Sequence, residues 1–320
     1  MNSLFTDTLH IDLRRDFTEL LEFGKILQAE KLSKDLTNLL GPPIYFSHFG
    51  EPHYPVHNLD AKTVFVHLNP GSGLGNTSSS ENFYSQRWNR EEFFRLHQLN
   101  ESAGLEEVLS AYKRGWENYA HQRFIVNNEF DNFDYKQACF LLHWQDSGID
   151  LRNGDLKDRK IQQHNSVNVL NQKLQLELFP YGSNFIDTPK ILEAFHRNPA
   201  IIAPFIENLL DHIILHPRKF VLFGSRIFQG LLRNYHFQVK PIIENEGPEQ
   251  KFEGITRNSL SFSSLRLRWQ NQSFAAGIAH SFPRRDLPNA YDKMAAYGRL
   301  CFDHFSDFTA QHKELDLRSA

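Results

Sequence analysis

A chain of 320 residues, 40% hydrophobic and 23% charged, carries enough apolar material for one large or two small globular domains. Its formal net charge of −3 excludes a uniformly polycationic nucleic-acid binder, so any such binding must rest on a local basic patch. Two cysteines, Cys139 and Cys301, are too few for a disulfide framework or for the four thiolates of an iron–sulfur cluster.

The opening stretch MNSLFTDTLHIDLRRDF lacks a charged-then-apolar signal pattern. No later run approaches the roughly 18 apolar residues of a membrane span. The expected compartment is the cytoplasm, with no membrane association. Residues 17–40 place Phe17, Leu20, Leu21, Phe23, Ile26, Leu27, Leu32, Leu36, Leu39 and Leu40 at helical spacing. They predict one or two helices, ended by Gly41-Pro42-Pro43. Residues 44–60 are aromatic, His-rich and Pro-broken, which reads as loop.

Thr63 to Leu68 is a short β-branched and apolar run that stops at Asn69-Pro70-Gly71-Ser72-Gly73, a buried strand opening into a Gly-rich loop. Residues 74–88 are polar loop, and helical pattern returns at 90–98, 104–121, 135–144 and 161–171. Leu174–Phe179 is a second strand, broken by Pro180. Helices follow at about 188–196 and 200–216. Lys219–Phe223 is a third strand, and Gly224-Ser225 opens a helix to about 234. Residues 259–269 alternate as a half-exposed antiparallel strand does. Ser273–Ala279 is a fourth core strand ending at His280, and a last helix covers about 289–310.

Strands alternating with helices predict an α/β fold: a three-layer α/β/α sandwich around a mostly parallel four-stranded sheet. Residues 1–60 are expected to form a helical extension packed on a core domain at 61–310. A helical insertion occupies about 74–172 and a tail 311–320. Ligands of open α/β sheets bind beyond the carboxyl ends of the strands. Four ends therefore matter: Asn69-Pro70-Gly71, Phe179 to Asn184, Gly224-Ser225-Arg226, and His280-Ser281-Phe282-Pro283.

These motifs carry a resemblance. Residues 64–73, VFVHLNPGSG, resemble the first motif of the uracil-DNA glycosylase superfamily, with His67 in place of a Gly before Leu68-Asn69-Pro70-Gly71. Ala279-His280-Ser281-Phe282-Pro283 is similar to the family's His-Pro-Ser motif without the Pro. FVLFGSRIFQGLL at 220–232 resembles its third strand, Gly turn and helix. The likeness covers about 62–305, in the family's order.

The resemblance implies an enzyme that flips a nucleotide out of DNA and hydrolyses its N-glycosidic bond, with no cofactor and no metal. By the same likeness, Asn69 holds the attacking water and His280 hydrogen-bonds the departing base. The segment after the second strand is where the family reads the base. Glu177, Phe179, Tyr181, Ser183 and Asn184 are candidates there, and an aromatic floor comes from Phe83, Tyr84 or Trp88. Glu177 stands out on physical grounds, because a carboxylate in an apolar strand is costly unless paired or functional; a structural bond to a helix terminus is the other reading. Ser281, Arg284 and Arg285 would touch phosphates, and Phe282 is either a wedge or a core aromatic. Between Arg257 and Arg285 there are five arginines, Arg266 and Arg268 among them, and no Asp or Glu. This is the expected DNA-facing patch, unless it is an ordinary solvated hairpin.

The enlarged chain suggests a base bulkier than uracil, such as a hypermodified pyrimidine of phage DNA removed in defence. The expected partner is DNA and the expected state a monomer. The alternative is a non-catalytic nucleic-acid-binding module on the same fold. Zinc at His48, His53 and His57 lacks further ligands. Gly71-Ser72-Gly73 lacks the Lys-Ser/Thr ending of a P-loop, and Ser225 lacks a nucleophile elbow.

Overall fold

The structure is a computed structural model. It describes residues 13–24, 26–41, 44, 46–47, 61–68, 94, 98–111, 132–144, 169, 173–183, 188–235, 242–253, 260–280 and 291–318. The chain divides into two compact units. One is drawn from Met1–Leu59, His67–Tyr119 and Leu176–His216, the other from Asp60–Val66, Ala120–Gln175 and Pro217–Ala320.

In the first unit the N-terminal periodicity resolves into two helices, α1 (Leu13–Phe23) and α2 (Leu27–Leu40). The break falls at Gly24, whose φ of 67° is a conformation L side chains avoid, and its amide donates to the Leu20 carbonyl. Gly41 (φ 95°) ends α2 in a similar way, its amide donating to Thr37. Residues 105–111 are helical. Strand β1 (Phe46–Ser47) pairs with β4 (Gly182–Ser183). Helices α4 (Thr188–Arg197) and α5 (Ala203–Leu215) follow, joined by a short 3-10 turn at Pro199–Ile201. Their apolar stripes bury Phe17, Leu32, Leu36, Ile191, Phe195 and Phe205 together as the core of this unit.

The second unit is built on a seven-stranded mixed sheet. Its order is β3 (Lys173–Glu177), β2 (Thr63–His67), β5 (Phe220–Phe223), β9 (Gln272–Ile278), β8 (Leu260–Trp269) and β6 (Ile243–Glu246), with β7 (Gln250–Phe252) also on β8. Strands β2, β5 and β9 are parallel; β8 runs antiparallel to β9 and to both short edge strands. The sheet is thus larger than the four strands expected. Of the three further strands, β8 matches the antiparallel strand expected at 259–269, whereas β6 and β7 are short and mostly exposed, with sequences such as Ile-Glu-Asn-Glu that carry no alternation to reveal them. The four anticipated core strands are all present, and every residue of β2, β3 and β5 is buried, as parallel strands covered on both faces require.

Helix α3 (Asn132–Leu141) lies inside the expected insertion yet is core. Phe140 stacks parallel to Phe65 at 6.0 Å, and Trp144 meets Phe220 and Phe302 edge-on at 5.4 Å each. Helix α6 (Ile227–Arg233) follows β5. The last helix, α7 (Tyr291–Arg318), packs on α3 through Gly298. A Cβ at Gly298 would sit 2.1 Å from the Phe140 carbonyl oxygen and 2.8 Å from its Cα. Backbone cannot swing aside as a side-chain tip can, so the two helices depend on this glycine for their approach. Gly298→Ala is expected to cost about 1–3 kcal/mol, the scale of an overpacked core. Urea denaturation measures it as a lowered midpoint with an unchanged slope.

Candidate functional site

In the second unit three strands end level. The Gly224 amide donates to the Val66 carbonyl (2.7 Å) and the Ala279 amide to the Phe223 carbonyl (2.9 Å). Numbered by chain order among the core strands, the sheet reads second, first, third, fourth. The chain leaves β2 towards one edge and returns at β5 on the other side. The point where strand order reverses therefore lies between β2 and β5, and in open α/β sheets such a point is where ligands bind. Ser225, just beyond, is buried and its Oγ accepts from the Ile227 amide at 3.4 Å.

His280 follows β9 directly and is 7% exposed. Its amide donates to the Tyr297 hydroxyl (3.3 Å), which donates in turn to the Ser261 carbonyl (2.9 Å). Burial pushes the Tyr297 phenol well above its ordinary range, so it remains a proton donor at neutral pH. Burial raises the Cys301 thiol in the same way, partly offset by its hydrogen bond with Tyr297. The end of the last core strand is thus pinned from α7.

In the first unit, Leu178 donates to the His67 carbonyl (2.8 Å) and Phe179 to the Leu68 carbonyl (2.9 Å). The segment after β3 is therefore fastened to the residues that precede Asn69. Two of the predicted base contacts are used otherwise. Phe179 is fully buried, its ring edge-on to Phe205 at 5.2 Å. Tyr181 is 1% exposed and also meets Phe205; its hydroxyl lies 3.1 Å from Gln28 Oε1 and 3.3 Å from Asp16 Oδ2. Both are packed within the first unit, Phe179 on Phe205 and Tyr181 on Phe205, Gln28 and Asp16. Their apolar area and the need to satisfy a buried hydroxyl draw them inward. Glu177 is buried at the end of β3. Ser183 is in β4. Asn69, Phe83, Tyr84, Trp88, Asn184, Ser281, Phe282, Arg257, Arg284 and Arg285 lie outside the described residues, as do His48, His53 and His57.

The arginine-rich hairpin is not an uncompensated patch. Arg266 and Arg268 both pair with Glu244 of β6, Arg266 at 3.2 Å, and Ser273 donates to the same carboxylate at 2.8 Å. Nearby, Glu246 takes Arg233 at 2.5 Å and Glu249 takes Arg226 at 2.7 Å. Exposed pairs of this kind add little stability. Their consequence is electrostatic: Glu244 offsets one of the two charges of Arg266 and Arg268 and engages both guanidinium groups.

A second buried polar group joins α3 to β3: Lys173 Nζ donates to the side-chain oxygens of Gln137 and Gln175, the latter at 2.5 Å. Among the described residues, no group of three or more His, Cys, Asp or Glu could hold a metal ion, and no helix is long and apolar enough to cross a membrane.

Sequence reasoning missed Tyr297. It sits in the buried stripe Met294, Tyr297, Cys301, Phe305, Phe308, where it reads as one more core aromatic. The available signal was its hydroxyl, since a buried Tyr needs a partner. No protein-family model, curated protein or solved structure matches this chain. Tyr297→Phe removes the acceptor of the His280 amide and the donor to Ser261. Stability is expected to fall by about 1–3 kcal/mol for buried groups left unserved. Chemical denaturation reads the loss, and faster hydrogen exchange at the His280 amide locates it.

Proposed function

We propose that this chain is a DNA glycosylase-like hydrolase. It acts on a flipped uracil or modified base, with Asn69 placing water and His280 donating to the departing base. The single observation that carries the reading is the reversal of strand order between β2 and β5. Asn69 follows the end of β2 by two residues in the sequence, and β9, the strand that precedes His280, is the neighbour of β5. Such a reversal is where a doubly wound sheet accepts its ligand. A three-layer α/β/α arrangement, a monomeric state and a cytoplasmic setting belong to the same proposal, and a hypermodified pyrimidine is its preferred base.

The chemistry suits these groups. Cleavage of an N-glycosidic bond leaves a cation-like sugar that needs little activation of its nucleophile, so an amide that positions water suffices. The leaving base gathers negative charge on an oxygen, where one oriented donor stabilises the transition state by about 3–4 kcal/mol. The support for His280 in this role is its burial directly after β9, with its backbone amide fixed by Tyr297.

The test is single-turnover excision on duplexes carrying uracil or modified pyrimidines, read by alkaline cleavage at abasic sites. Asn69→Ala is expected to abolish most excision while DNA affinity holds. His280→Ala is expected to slow it about a hundred- to a thousandfold. The double variant should lose less than the product of the two, because both groups act on one transition state. A fully active Asn69→Ala variant would remove Asn69 from the mechanism. Binding separates the arginines: neutralising Arg284 and Arg285 should flatten the salt dependence of affinity, and neutralising Arg266 and Arg268 should change it much less, because Glu244 already holds them.

A further inference from the structure

Asp16, on α1, is fully buried and ionisable, and nothing in the excision chemistry uses it. Around it four side chains close a ring of hydrogen bonds. Arg15 donates to Asp16 through Nε (3.1 Å) and Nη2 (2.7 Å), and to Gln28 Oε1 at 2.5 Å. The Tyr181 hydroxyl lies within reach of both acceptors, 3.3 Å from Asp16 and 3.1 Å from Gln28. Two donors, Arg15 and Tyr181, thus share two acceptors from α1 and α2. Burial and the Asp16 charge hold the Tyr181 phenol well above its usual range, which keeps it a donor.

The ring is not the only tie. Strand β1 pairs with β4, Phe46 opposite Ser183 and Ser47 opposite Gly182, so the N-terminal segment also supplies a strand partner to the far end of the same loop. Arg197 of α4 donates to the Leu39 carbonyl at the end of α2 (2.9 Å). The segment 178–183 is therefore held by His67 and Leu68 at Leu178 and Phe179, by the Asp16–Gln28 ring at Tyr181, and by β1 at Gly182 and Ser183. A surface appendage with no role at the loop would not need a buried carboxylate aimed at that loop's one tyrosine, a group costly to bury unless it is paired.

We infer that Asp16 and Gln28 are positioning residues for the loop 178–183, acting through the Tyr181 hydroxyl, so that the N-terminal helices set how selective that loop is for its base. The selectivity part rests on the glycosylase reading; the positioning part does not. Selectivity follows because discrimination between bases comes from polar groups held where a wrong base leaves them unmatched. A loop free to shift re-matches them and accepts more bases.

The experiment uses the full chain with Tyr181→Phe, which removes only the hydroxyl, and Asp16→Asn, which keeps the volume and removes the charge. Hydrogen exchange at the Leu178 and Phe179 amides is measured alongside relative excision of uracil and of modified pyrimidines. Tyr181→Phe should speed exchange at these two amides roughly three- to tenfold, the scale of one hydrogen bond. The His280 amide should keep its rate, and the ratio of kcat/KM between the preferred base and the next should fall. A general loss of stability would speed all the amides and leave the ratio alone. Unchanged exchange in Tyr181→Phe overturns the positioning role, and if Asp16→Asn fails to fold, Tyr181→Phe still decides it. Faster exchange with an unchanged ratio overturns the link to selectivity. Faster exchange with no base released even by the natural chain supports the positioning role and overturns the glycosylase reading instead.

Discussion

Two backbone hydrogen bonds, Gly224 to Val66 and Ala279 to Phe223, hold the ends of β2, β5 and β9 level. They depend on parallel pairing, and parallel strands are stable only when both faces are covered. The sequence meets that condition with uninterrupted apolar runs such as Phe220-Val221-Leu222-Phe223 and with aromatic cover from Phe140 and Trp144. Once the ends are level, the loops that follow them begin side by side.

Two segments that follow core strands, one after β9 and one after β3, are each braced by a buried tyrosine. Tyr297 ties the start of the His280 motif to α7 and to Ser261 of β8, so the final helix and the hairpin brace one residue from two sides. In the other unit, Tyr181 plays the corresponding part with α1 and α2. Each brace is a buried tyrosine whose ring fills apolar space while its hydroxyl fixes a backbone segment. A phenol suits this use because it rarely ionises when buried and can donate and accept at once. The glutamates of the β6 region act differently. They offset part of the arginine charge on the hairpin, Glu244 engaging both Arg266 and Arg268.

Much of the fold was legible because its signals are local. Short β-branched runs closed by Asn-Pro-Gly, Pro or Gly mark the core strands, and the spacing of Phe17, Leu20, Leu32 and Leu36 marks the N-terminal helices. The strand from Leu260 shows its alternation at its far end, where Leu265 and Leu267 are buried and Arg266 and Arg268 are not, although its first six residues are all buried. What stayed hidden is non-local. Helix α3 reads as part of a peripheral insertion, since its opening Asn132-Phe133-Asp134-Tyr135 alternates polar and aromatic residues and names no core face; the tertiary contact of Phe140 with Phe65 makes it core. Tyr181 looked like a base contact, because its partner Asp16 is 165 residues away in the chain. The arginine run looked unopposed, because Glu244 lies 22 residues before Arg266 and reaches it only across a strand pair. Sequence order gives a motif's place on the sheet edge. It does not say whether a side chain there faces the ligand or the interior.

The central claim is that the strand ends carry an excision site, and identifying what leaves the DNA tests it most directly. Duplexes bearing uracil or a modified pyrimidine would be incubated with the natural chain, and the small-molecule fraction weighed by mass spectrometry. The proposal predicts the free base in that fraction, matched by an unbroken, abasic strand lighter by the mass of the free base less one water, because hydrolysis adds water across the broken bond. Recovery of every duplex at its original mass, or release of nucleotides in place of free base, would contradict it.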